Sequence, residues 1–145
     1  MLESAAWGVQ MAEKEPVAVV LDFMERINSG NVDSICAALT TDHIFVDALG
    51  AKFTSRETMR AAWTYYYKII PDYKVSHEEL FAKGDIVAVF GTARGTFSDD
   101  GKLKKENFWE IPAAWKAVVR DGLVAYWQVF ADNQPVRKLM GDPNP

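Results

Sequence analysis

Asp47 sits in the segment TDHIFVDALG, residues 41–50, among apolar side chains. A carboxylate within an apolar strand is costly unless something uses it, so Asp47 is the first candidate for proton transfer. In a strand from His43 to Leu49, Ile44 and Val46 point one way and Phe45 and Leu49 the other, which would bury both faces. His77 is the second candidate. It shares a register with Tyr73, Val75, Glu79 and Phe81, and facing inward it would act as a proton shuttle; a histidine satisfied in the wall is the competing reading. Asp132, after the last apolar run, offers a second carboxylate, although Asp-Asn at a strand end also makes turns. The aromatic residues Trp63, Tyr66, Trp109, Trp115, Trp127 and Phe130 exceed what one small core requires. They suit a pocket for a flat, apolar ligand, with plain core and interface as the alternative.

The elements that would hold these groups follow from periodicity. Pro16 opens a helix whose face is Val17, Val20, Leu21, Met24 and Ile27, and Gly30 ends it. Asn31 caps a short second helix burying Val32, Ile35, Cys36 and Leu39. After the Asp47 strand, Thr54-Ser55-Arg56-Glu57 reads as a capping box with Thr54 as N-cap. The helix it opens carries Met59, Ala62, Trp63, Tyr66 and Ile70, and Pro71 stops it. Four strands follow: Tyr73 to Ala82, Ile86 to Phe97, Lys104 to Val119 and Leu123 to Ala131. Pro112 implies a bulge or an edge. Early helices and late antiparallel strands indicate an α+β fold with three helices on one face of a curved sheet.

The bulk numbers narrow the class. The chain has 145 residues, 49% of them hydrophobic and 25% charged, which suits one core. We read a single domain over 16–140, with tails at 1–15 and 141–145. A net charge of −4 argues against a nucleic-acid surface, and no apolar run reaches the length of a membrane span. With one cysteine and two histidines, neither a disulfide framework nor a zinc site is expected. The opening MLESAAWGVQ lacks the pattern of a signal peptide, Met11 offers a second start, and a cytoplasmic location is expected.

Five pieces in order, FMERINSGNVDSI, HIFVDALG, TSRETM, KGDIVAVFGTARGTF and VVRDGLVAYWQVFADNQP, resemble the nuclear-transport-factor-two-like superfamily. The likeness is to its SnoaL-like and ketosteroid-isomerase-like members, and it runs from Pro16 to Leu139. It implies a cone-shaped α+β barrel around an apolar pocket. Asp47 falls where ketosteroid isomerases carry their general base. Their oxyanion donors, a first-helix tyrosine and a late-strand aspartate, correspond to Phe23 and to the neighbourhood of Ala113 and Ala114, so neither donor is carried over. Phe23, Trp63, Tyr66, Trp109, Trp115 and Trp127 are expected to line the pocket. The resemblance implies an isomerase, cyclase, dehydratase or hydrolase working on a small apolar molecule without metal or organic cofactor. The alternative is a non-catalytic binding or dimerisation module. A homodimer through the outer face of the sheet is expected.

Overall fold

The computed structural model describes residues 15–141. The expected tails therefore lie, apart from Glu15 and Gly141, outside the described residues, as does Met11.

Helix α1 (Pro16–Ser29) starts at its proline and ends where Gly30, at φ 69°, donates its N–H to the Ile27 carbonyl at 3.1 Å. It buries Val19, Val20, Phe23, Met24 and Ile27. Helix α2 (Val32–Ala37) is capped by Asn31, whose Oδ1 accepts the Ser34 N–H at 3.0 Å. Strand β1 (Leu39–Val46) and a three-residue strand β2 (Lys52–Thr54) pair antiparallel. Sequence periodicity missed β2, which is too short to alternate visibly. It also placed the first strand too late. The strand ends at Val46, and Asp47 begins the turn that follows.

Helix α3 (Arg56–Ile69) is capped by Ser55 rather than Thr54: the Ser55 Oγ accepts the Thr58 N–H at 3.1 Å. Thr54 is still paired with Ile44 in the β2–β1 ladder, so the helix begins one residue later. Strands β3 (Lys74–Lys83), β4 (Ile86–Thr96), β5 (Phe108–Arg120) and β6 (Leu123–Phe130) form an antiparallel meander, with one turn of 3-10 helix, Lys105–Asn107, before β5. The six-stranded sheet runs β2-β1-β6-β5-β4-β3, open at both ends, and only the β1–β6 pair is parallel. Pro112 sits opposite Thr92 with no bulge between β4 and β5. The β5–β6 ladder stops at Ala114–Phe130, so β5 is locally an edge there and the missing N–H costs nothing.

Alternation along β5 turns Trp109, Ile111, Ala113, Trp115 and Ala117 to the inner face. Helix α1 crosses that face over β3 to β6, while α3 packs against α2, β1 and β2. A fourth helix, α4 (Gln134–Leu139), lies in what the sequence reads as the end of the domain. The Asp132 Oδ1 accepts the Gln134 N–H at 3.0 Å to start it, and Val136 is buried. No helix among the described residues is long and apolar enough to cross a membrane.

Candidate functional site

The inner face of the sheet is not filled. Between β4–β6, α3, the end of β1 and α4 lies a cavity of about 420 Å³, inside the range of about 300–1,000 Å³ usual for small-molecule sites. Its walls are aromatic and aliphatic. Trp115 and Trp127 form one side, stacked with centroids 6.0 Å apart and planes 17° from parallel. This follows from the ladder, which pairs Trp127 with Ala117, so that the small alanine leaves room for the two indoles to overlap diagonally. Trp63, Tyr66, Tyr73 and Trp109 form another side. Phe45 and Phe53, 5.9 Å apart on β1 and β2, stand beside them, and Val136, Arg137 and Met140 contribute from α4 and the turn after it.

Asp47 is the one acidic residue of the lining among the described residues, and Arg137 the one basic residue. Asp47 is half-buried. Its Oδ1 accepts the N–H groups of Leu49 and Ala51, each at 2.9 Å, while its backbone N–H and C=O bond Ala51 and Gly50 at 3.0 Å. The turn 47–51 therefore fixes the carboxylate through one oxygen. Oδ2 accepts no hydrogen bond among the described residues.

The three sequence-derived acid/base candidates do not converge. His77 is exposed on β3 and does not line the cavity. It keeps the register of buried Val75, opposite Gly91, and is exposed all the same; the bulge between His77 and Glu79 takes Glu79 and Phe81 out of that register. That bulge packs against Gly91, where a β-carbon would lie 1.8 Å from the Ser76 carbonyl oxygen. Asp132 is exposed, and its carboxylate serves the turn into α4. Phe23 also lies outside the cavity wall. It is 1% exposed and packs edge-on to Trp127 with centroids 5.0 Å apart, as core. Trp63, Tyr66, Trp109, Trp115 and Trp127 all line the cavity.

Tyr73 is the lining residue that the sequence used only to mark strand register. Burial holds the Tyr66 and Tyr73 hydroxyls well above their ordinary value of 10.0, so both stay protonated. Tyr67 is committed elsewhere, donating its hydroxyl to the Ile27 carbonyl. Among the described residues no three His, Cys, Asp or Glu side chains gather as metal ligands.

A protein from Catenulispora acidiphila DSM 44928 with a ketosteroid-isomerase-like fold, solved with trimethylamine, is 19% identical; 86% of this chain and 93% of that one superpose with a TM-score of 0.73. A candidate SnoaL-like polyketide cyclase from Jannaschia sp. CCS1 is 18% identical over 90% and 93% of the two chains, with a TM-score of 0.74. IdmH from Streptomyces antibioticus, a candidate polyketide cyclase, is 21% identical over 88% and 99%, with a TM-score of 0.71. No curated protein matches the chain. The SnoaL-like domain family matches residues 20–127, which span β1, α3 and most of the meander that builds the cavity. The chain belongs to the SnoaL-like domain family.

Proposed function

We propose that this protein is an acid/base enzyme of the isomerase or cyclase kind, acting on a small, flat, largely apolar molecule with Asp47 as the base. The observation that carries this reading is the state of its carboxylate. One oxygen is pinned by two N–H groups, and the other has no partner among the described residues, at the wall of a largely apolar cavity. A pinned carboxylate loses little freedom when it meets a substrate proton. The chemistry open to it is removal of a proton from a carbon beside a carbonyl. The C–H electron pair forms a carbon–carbon double bond, and the carbonyl pair moves onto oxygen. Return of the proton to another carbon gives an isomer, whereas attack of the carbanion on a second carbonyl closes a ring. The candidate cyclases of similar fold support this choice.

The test uses 2-tetralone, a flat ketone with exchangeable α-hydrogens, in deuterated buffer. Exchange at the α-carbon, followed by proton NMR, should exceed the buffer rate. Asp47→Asn should lower it by about 10²–10⁴-fold. Exchange that persists in Asp47→Asn removes Asp47 from the role. A second reading, a binding module without turnover, is favoured by the dispersal of His77 and Asp132 away from the cavity. Saturable binding of 2-tetralone with no exchange would select it.

We also infer a homodimer through the outer face of the sheet. Phe90, Ala114 and Phe130 lie in register across β4, β5 and β6, with the two phenylalanines 47% and 51% exposed. Phe81 packs on Phe90 at 6.1 Å and extends the patch. Contiguous apolar surface of this kind favours association.

A further inference from the structure

Helix α4 and the turn after it wall one side of the cavity with two unlike stripes. Asn133, Val136, Arg137 and Met140 all line it, spaced as one helical face. The Arg137 N–H bonds the Asn133 carbonyl at 3.0 Å, and the Met140 N–H bonds the Val136 carbonyl at 3.1 Å. Each bond sets its two residues one turn apart, so Asn133 and Arg137 make a polar stripe beside the apolar stripe of Val136 and Met140. Val136, 7% exposed, anchors the helix to the core. Pro135 in the first turn and the Asp132 carboxylate on the Gln134 N–H start it.

A charge on an apolar wall is costly unless something uses it. Arg137 is half-buried, and a guanidinium keeps its charge inside proteins. Asp47 is not its counter-ion, since among the described residues Asp47 enters no ion pair. The cavity thus carries two separate charges of opposite sign, an acid in the turn between β1 and β2 and a cation on α4. Asn133 is half-buried too, and its side-chain amide makes no hydrogen bond among the described residues. A guanidinium offers five N–H donors in a planar fork, enough to hold a protein group and a ligand oxygen together. The amide adds a neutral donor on the same stripe. One positive charge and two flat donor groups match a planar anion of single charge, which is a carboxylate. A phosphate monoester, with about two negative charges, would add repulsion from Asp47.

We propose that Arg137 and Asn133 form an anion subsite that selects ligands bearing a carboxylate. This rests on the pocket reading above and narrows its substrate to a flat, apolar acid. The ring system lies against Trp115 and Trp127, and the carboxylate meets α4.

The test compares 2-naphthoate with methyl 2-naphthoate, flat ligands of nearly the same shape that differ in charge and lack an α-hydrogen to lose. Isothermal titration calorimetry at pH 8 should give about 10- to 100-fold tighter binding of naphthoate to the wild-type protein. Arg137→Gln should remove most of that preference and leave the ester affinity within about twofold. Arg137→Lys, which keeps the charge and loses the fork, should fall between the two. Equal affinity, or a preference for the ester, in the wild-type protein overturns the subsite and leaves the pocket reading standing; this comparison needs no variant. A preference for naphthoate that survives Arg137→Gln overturns it as well. If neither ligand binds, the pocket reading falls and the subsite with it.

Discussion

Tyr66 and Tyr73 meet edge to face across the end of helix α3, with ring centroids 4.9 Å apart and planes 88° from parallel. The contact joins a helix to the segment entering the edge strand β3, and it lies on the cavity wall. Pro71 ends the helix, the Ser98 N–H bonds the Ile69 carbonyl at 2.8 Å, and Asp72 receives the Thr96 N–H and hydroxyl at 2.7 Å each. The turn is thus bound to the far end of β4, which holds two cavity-lining rings in place.

Asp47 has two separable duties. Asp47→Asn keeps an oxygen for the Leu49 and Ala51 N–H groups, so stability should change by less than about 1 kcal/mol while α-proton exchange is lost. Asp47→Ala removes the acceptor as well, and should cost about 1–3 kcal/mol in urea unfolding. Equal destabilisation by the two changes would show that the charge itself supports the turn.

Gly95→Ala tests the packing between the end of α3 and Trp109. The new methyl would meet Ile70 Cγ2 at 2.4 Å. Overpacking of this kind should destabilise the fold by about 1–3 kcal/mol and shift the Trp109 indole N–H resonance. An unshifted resonance would mean that the indole does not depend on the glycine.

His43 predicts a pH dependence. It is 1% exposed, and its Nδ1 lies 2.8 Å from the Val124 carbonyl, which can only accept, so Nδ1 carries the proton. Burial lowers its pKa below the ordinary 6.5, against smaller opposing effects of the Val124 carbonyl and Asp42. Below about pH 6.5 the unfolded chain binds the proton that the folded chain refuses, so stability is full above that value and falls as pH drops. The slope should reach at most about 1.4 kcal/mol per pH unit in urea titrations. His43→Gln, which retains a donor for Val124, should flatten the profile; the same slope in that variant would assign it to other groups.

Phe90→Lys and Phe130→Glu place charge in the exposed aromatic patch. Sedimentation velocity at micromolar concentration should show a dimer for the wild-type protein and a monomer for either variant. A wild-type monomer would leave the patch without this role.

Much of the fold was legible because long elements repeat their pattern. Thirteen residues of β5 alternate without interruption, and both Trp109 and Trp115 fall on the inner face accordingly. The illegible parts are those where one residue or one hydrogen bond decides. A bulge between His77 and Glu79 broke the single face on which His77, Glu79 and Phe81 were read together. Ser55 took the cap because Thr54 was held by strand pairing. Asp47 emerged from the composition around it, but its turn geometry depends on Ala51, across a tight reversal that periodicity cannot see. Tyr73 entered the site through the fold, since only the chain reversal at Pro71 brings it against Tyr66.

The parallel seam between β1 and β6 joins the two ends of the folded region at Val124, whose N–H bonds the Ala38 carbonyl and whose C=O accepts from His43. A nascent chain emerging from the ribosome presents β1 long before its neighbour exists. Its edge toward β6 must wait, uncovered, until Leu123–Phe130 has been made. Pairing between such distant segments raises the contact order of the fold, and a higher contact order goes with slower folding.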